Sequence, residues 1–330
     1  MKMFLRHLFI FSAGLSAACV SRSEHSEVLK NQPSKDDVKS SLYVFESDQS
    51  GFNTKTTFFD SGKEVIAFDA QFTRDAAQKA IEFLRTKTKN PITHLVITHP
   101  NPDKFNGAGV FRENGAKIVA SQATSSSLVG THTYKKYFFV NIAKMFTEDS
   151  YPALTKPDVI FERNLTLKTS DGSQVVLREL GQPGVSANQT VAYIAEHKAL
   201  VVGDLVHYKA HAWLEGAIKD GKAVPHLAEW RRLLVQLRNE FGKRGTMIYG
   251  GRGGVVGAQE ALNTQIEYLE KAESIVGRFI QSHKELLKTN PQAGYIELTK
   301  AFELEFPDYA LAYMITYGAY GLVAQLQNAR

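Results

Sequence analysis

The chain has 330 residues, 43% of them hydrophobic and 22% charged, which is enough apolar side chain for a large core that needs no disulfide. Its single cysteine, Cys19, excludes a disulfide framework and a thiolate metal cluster. The net charge of +5 includes Lys2 and Arg6 at the extreme N-terminus, and the remainder forms no dense basic block, so a nucleic-acid partner is not expected.

Residues 1–18 combine that basic start with an apolar stretch from Leu8 to Leu15 and the small residues Ser16, Ala17 and Ala18. This is the pattern of a secretory signal peptide, too short to span a bilayer as a mature helix. Cleavage before Cys19 would leave either a lipid-modified N-terminus or an incidental cysteine, and the sequence leaves both open. The expected location is therefore the periplasm, or the bacterial envelope through a lipid on Cys19, the one membrane attachment expected. Residues 19–40 are polar and aperiodic and read as a tether.

The folded part begins at 41. Strands are predicted over 41–47, 52–60 and 64–70, separated by Gly51 and the turn 61–63. Ala76, Ala77, Ala80, Ile81 and Leu84 fall at helical spacing after the N-cap candidate Thr73, which predicts a helix over 73–88. The apolar run 92–97 is a buried strand that delivers the loop THPNPDKFNG at 98–107. A short helix over 108–114, a strand over 116–121 and a short helix over 122–130 follow. Residues 131–157, aromatic-rich and aperiodic, read as an irregular insertion lying over a site. A second β-rich run fills 158–206. Then come a helix over 227–241, a strand over 246–251 and a mostly helical stretch over 257–326. Two successive halves, each strands then helices, suggest an α/β protein of four layers, αββα, with helices outside two packed sheets. The expected division is one domain over 41–270 and a helical C-terminal extension over 271–330.

Four stretches in order give a more specific reading. KEVIAFDA (63–70) ends in Asp69, PITHLVITH (91–99) leads into the loop above, LGQPGVSANQTVAYIAEHKALVVGDLVH (180–207) contains Gly-Asp, and MIYGGRGGV (247–255) ends a strand in glycines. Together they resemble the metallo-β-lactamase superfamily over about 41–270. The resemblance implies a hydrolase fold that holds one or two zinc ions through histidines and carboxylates.

Carried over residue by residue, that implied ligand set is incomplete. In the signature T-H-x-H-x-D-H, His99 and Asp103 stand at ligand positions, but Asn101 and Lys104 replace the second and third histidines. Val185 replaces the histidine of G-H-T, Asp204 keeps the aspartate of G-D, and Arg252 replaces the histidine of G-H-G. An amide is a poor zinc ligand, valine is none, and arginine does not give up its proton. Two cations where metal should be would repel it and neutralise Asp103 and Asp204 instead. No cofactor is therefore expected, with zinc at most at low occupancy. Lys104 and Arg252 are expected beside the two carboxylates.

His207 and His211, four apart, fit one helical face and could build a shifted metal site with Asp204; otherwise they and Trp213 line a polar cleft. GGRGGVVG (250–257) matches neither dinucleotide nor P-loop spacing and reads as a turn, with backbone N–H groups beside Arg252 as an anion seat in the second reading. Three functional readings remain. One is a small-ligand binder, with a ligand that is anionic in one version, held by Asn101, Lys104, Arg252, His207, His211 and Trp213. The second is a metal-dependent or metal-free hydrolase of an ester, amide or thioester using His99, Asp103 and Asp204. The third is an envelope scaffold.

Overall fold

A computed structural model describes residues 39–329. The signal-peptide and lipidation expectations for 1–19, and nearly all of the tether, lie outside the described residues. Among the described residues no helix is long and apolar enough to cross a membrane.

Two six-stranded sheets pack face to face. The first comprises β1 (Ser41–Glu46), β2 (Lys55–Asp60), β3 (Val65–Phe68), β4 (Ile92–Val96), β5 (Lys117–Ser121) and β6 (Val159–Phe161), in that spatial order. The pairs β1/β2 and β2/β3 are antiparallel; the later ones are parallel. Crossovers through α1 (Arg74–Arg85), through α2 (Pro102–Phe105) with α3 (Ala108–Glu113), and through α4 (Gln122–Tyr137) create those three parallel pairs. The second sheet runs β14 (Val256–Gly257), β13 (Met247–Gly253), β10 (Ala199–Tyr208), β9 (Thr190–Ile194), β8 (Gln174–Glu179), β7 (Asn164–Lys168), and β11 (Ala217–Lys219) pairs with β12 (Lys222–Val224) in a separate hairpin.

The layering follows from alternation. In β2 to β5, Phe59, Ile66, Phe68, Val96 and Val119 face the second sheet and meet Val175, Leu177, Ala192, Ile194 and Val201 there. Their neighbours Phe58, Val65, Ala67, Leu95, Ile118 and Ala120 turn to the other face, under α1 and α3. A strand apolar on both faces belongs in a sheet covered on both sides. The outer face of the second sheet is covered by α5 (Leu227–Phe241) and α6 (Ala258–Ser282), which share one core with Val202 and Ile248. The result is the four-layer αββα sandwich with a C-terminal helical segment. Helix α6 runs through position 270 without a break. Phe302, Phe306, Ile315 and Leu322, from α8 (Pro291–Glu305), α9 (Tyr313–Gly318), α10 (Tyr320–Asn328) and their connections, join the same core. The short α7 (Lys284–Thr289) connects α6 to α8.

One expectation fails. Residues 131–157 are not irregular throughout: α4 (Gln122–Tyr137) continues past 130 and ends in a π-helical turn over Phe138–Ile142. The buried face of α4 carries Thr124, Leu128, Thr131 and Lys135. Spacing there is helical, but three of those four side chains are polar, so no apolar period announces the helix.

Candidate functional site

The edge where both sheets deliver their strand ends holds the site. Just past the end of β4 come Thr98 and His99, and the following turn places Asn101, Asp103 and Lys104 at the start of α2. β10 brings Asp204 and β13 brings Arg252. Two glycines make this approach feasible. Gly203 has φ of 52°, and a Cβ there would lie 2.4 Å from Thr98 Oγ1. At Gly251 a Cβ would lie 1.7 Å from Asp204 Oδ1, so only glycine lets β13 pass the carboxylate.

Lys104 and Arg252 each bridge both carboxylates, as expected from the sequence. Lys104 Nζ lies 2.7 Å from Asp204 Oδ1 and 2.8 Å from Asp103 Oδ2. These are ionic contacts without aligned hydrogen-bond geometry. Arg252 Nη1 donates to Asp204 Oδ1 at 2.7 Å and Oδ2 at 2.8 Å, and Nη2 lies 3.0 Å from Asp103 Oδ2. Its Nε and Nη2 also donate to the Phe52 carbonyl at 3.1 and 3.0 Å, and Nη2 to Thr54 Oγ1 at 2.9 Å. Phe52 sits in the left-handed region, with φ of 59°, which is rare for a bulky residue; the guanidinium holds the carbonyl that this conformation presents.

Charge and burial compete here, and charge wins. Burial pushes the Asp204 carboxyl up, but Arg252 and Lys104 hold it well below the usual carboxylate range. Asp103 is lowered in the same way, with Lys104 and then Arg252 outweighing burial. Burial lowers Lys104, yet Asp103 and Asp204 raise it overall. All four groups are thus charged together. Asp69 lies one layer out, 3.9 Å from Lys104, and accepts from Thr98 N and Oγ1. Burial raises its pKa despite Lys104.

The histidines divide. His99 Nε2 lies 3.7 Å from Asp204 Oδ2, and His207 Nε2 3.4 Å from Asp204 Oδ1. Neither nitrogen has an aligned hydrogen-bond partner. Burial keeps His207 below its ordinary value against the pull of Asp204. His211 does not join them. His207 belongs to β10 and His211 to the loop after it, so their four-residue spacing marks a strand end and not a helix face. His211 points into the outer core among Tyr268, Phe302, Phe306 and Tyr309, and neither lines the cleft nor faces Asp204. Its Nδ1 pairs with the Tyr268 hydroxyl at 3.2 Å, and its link to the ion cluster is through its backbone carbonyl, 3.1 Å from His207 Nδ1.

Above the ion cluster lies a narrow cavity of about 30 Å³ that opens to solvent. Asn101, Asp103, Asp204 and Arg252 form its polar floor, and Phe52, Phe72, Phe139, Trp213 and Met314 its walls. Ring centroids 4.8 to 5.9 Å apart show that Phe52, Phe72, Phe139 and Trp213 pack on one another as a continuous aromatic wall. Sequence reasoning placed Trp213 here but missed Lys135, which lines the cavity from α4, ion-pairs with buried Glu215 and lies over the Trp213 ring. Trp213 Nε1 donates to the same Glu215 carboxylate at 2.7 Å. The one available signal was a lysine on the helical face of Thr124, Leu128 and Thr131.

Comparison with known proteins agrees with this geometry. The family model for the metallo-beta-lactamase superfamily matches residues 50–252. Among solved structures, a metallo-beta-lactamase from Pontibacter korlensis superposes with a TM-score of 0.53 at 19% identity, covering 72% of this chain and 97% of that one. The DIM-1 metallo-beta-lactamase gives 0.51 at 16% identity, with 72% and 96% covered. The sec-alkyl sulfatase PisA1 gives 0.53 at 15% identity, covering 70% of this chain and 40% of its own. At these identities the likeness concerns the fold. No curated protein matches the chain significantly.

A family of this name implies a metal, and the residues present do not fit one. Both oxygens of Asp204, and Oδ2 of Asp103, are engaged by an ammonium or a guanidinium. A dication would have to displace two like charges that are themselves fully buried. Val185 offers no donor and is packed into the outer core beside Leu205. Among the described residues, no group of three or more His, Cys, Asp and Glu is arranged to hold a metal ion.

Proposed function

Given that this chain belongs to the metallo-beta-lactamase superfamily, we propose that it is a diverged, hydrolase-like member whose centre is held by side-chain charge, and that it binds a small molecule in the cleft above it. One observation carries the reading: Lys104 and Arg252, both almost fully buried, each span Asp103 and Asp204 at ion-pair distance. A hydrolase working on this floor without metal needs a side chain to activate water. The more exposed of the two carboxylates lining the cavity, Asp103, is held below its ordinary pKa, which makes it a weak base. A binding role makes no such demand, and it uses the aromatic wall directly.

The reading includes export on residues 1–18 and a lipid on Cys19, supported by the composition of that stretch. Mass spectrometry of the processed N-terminus in the native host checks it: an intact Met1 refutes export, and an unmodified cleaved end refutes the lipid alone.

Elemental analysis of gently purified, untagged protein tests the centre. The expected result is substoichiometric zinc, with a melting temperature that EDTA leaves unchanged. One or two tightly held zinc ions per chain, or turnover of ester, amide or thioester substrates that chelator abolishes, would overturn the reading in favour of a metal hydrolase.

A further inference from the structure

The two polar groups that the cleft offers to a ligand are an amide and a carboxylate oxygen, both without a partner in the protein. Asn101 is only 8% exposed and lines the cavity, yet its side-chain amide makes no hydrogen bond. Its backbone is fully used, N–H to the His99 carbonyl and C=O from the Lys104 N–H, so the residue is fixed while its side chain is free. Asp103 is similarly one-sided. Lys104, Arg252 and Thr54 all converge on Oδ2, at 2.8, 3.0 and 3.1 Å, which leaves Oδ1 for the cavity. Neither atom is sealed from solvent; both open on the cleft, where a ligand can meet them without displacing a protein partner.

The cations of the site do not offer the same opportunity. Lys104 is fully buried beneath the floor, and the Arg252 guanidinium is consumed by Asp204, Asp103, the Phe52 carbonyl and Thr54. Lys135 reaches the cavity wall but is neutralised by Glu215. An anion entering the cleft would meet an ionised acceptor before any uncommitted positive charge. A donor would meet a charge-assisted acceptor at Asp103 Oδ1 and the carbonyl of the Asn101 amide beside it.

We propose that the cleft selects a small hydrogen-bond-donating ligand, a primary amine or alcohol on an apolar or aromatic body, with the N–H or O–H directed to Asp103 Oδ1 and Asn101. The body packs on Phe52, Phe72, Phe139 and Met314. This deepens the small-ligand reading and rests on it. It also sets aside the anionic ligand that two cations in the sequence suggest, because those cations face inward.

Isothermal titration calorimetry of the full chain with benzylamine, benzyl alcohol and benzoate tests the proposal. These probes share a ring and differ in the head group. The amine and the alcohol are expected to bind, with benzoate weaker by about tenfold or more, the scale of a hydrogen bond to a charged group. Asn101→Leu is expected to lose about tenfold for both donors while keeping the melting temperature, because the amide supports nothing in the free protein. Benzoate binding most tightly, with loss in Asn101→Leu, would overturn the donor class and leave the small-ligand reading standing. Donor binding unchanged in Asn101→Leu would overturn the placement. Binding by none of the three would overturn both. The amine and alcohol arms separate a cationic from a neutral ligand within the proposed class.

Discussion

Arg252→Ala is the most informative perturbation of the centre. The side chain is 2% exposed and makes two hydrogen bonds to Asp204, two to the Phe52 carbonyl and one to Thr54, with Asp103 3.0 Å away. Removing one partner of a buried ion pair costs about 3–5 kcal/mol, because the remaining charge stays buried without compensation. Lys104 still touches both carboxylates and limits the loss, while the vacated volume and the orphaned Phe52 carbonyl add to it. A net cost of about 4 kcal/mol follows, which lowers the melting temperature by about 7 °C in a domain of this size. Urea unfolding followed by fluorescence measures it directly, since Trp213 and Trp230 are both buried. Arg252→Lys keeps the charge without the planar fork and should recover only part of the loss. A cost below about 1 kcal/mol for Arg252→Ala, the range of exposed ion pairs, would refute the claim that these charges hold the site together.

Four further outcomes are expected. Replacing Asn101, Lys104 and Arg252 together with histidine removes both cations and supplies imidazoles beside Asp103 and Asp204, so elemental analysis should find bound zinc; adding Val185→His should lower stability by about 1–3 kcal/mol through overpacking of the core. Gly251→Ala drives a methyl into Asp204 Oδ1 and should cost about 2 kcal/mol or more, whereas Gly254→Ala, whose Cβ meets nothing closer than 3.5 Å, should be neutral in the same melt. His211 is lowered to about 4, chiefly by burial and then by His207, from an ordinary 6.5. The unfolded chain then binds the extra proton first, so this group's stability is present above pH 6.5 and is lost as pH falls towards 4; it amounts to about 3 kcal/mol, and His211→Gln should flatten that slope in pH-dependent urea melts. Asp103 and Asp204, also lowered, add stability that holds above their ordinary 3.8 and disappears as pH drops through their folded values, so acid unfolding should steepen below about pH 4.

What the sequence disclosed, and what it hid, follows the reach of its signals. The sheets were legible because runs such as 64–70 and 92–97 are apolar on both faces, which only a doubly covered sheet tolerates. The replacement of ligand positions by Lys104 and Arg252 was legible because the motif fixes position by position what the chemistry requires. Helix α4 beyond 130 was not, since it buries Thr131 and Lys135 where an apolar period would be expected. The pairing of Lys135 with Glu215 spans 80 residues and leaves no local trace. His211 was misassigned because a spacing of four is shared by a helical turn and by a strand that runs into a loop. The direction in which Asp103 turns its two oxygens is set entirely by Lys104, Arg252 and Thr54, and no one-dimensional pattern carries it.

The ion cluster also has a bearing on the order in which the molecule is built. Asp103 and Lys104 follow a strand of the first sheet, whereas Asp204 and Arg252 lie on strands of the second, about a hundred residues or more further along the chain. Contacts across so long a loop are entropically expensive to close early, so they are expected to form after each half has its own hydrophobic faces in place. Interactions absent from the folding transition state act on the unfolding rate and leave the folding rate nearly untouched. The four charges are therefore expected to act as a latch, closed last and opened first, so that Arg252→Ala raises the unfolding rate far more than it slows folding.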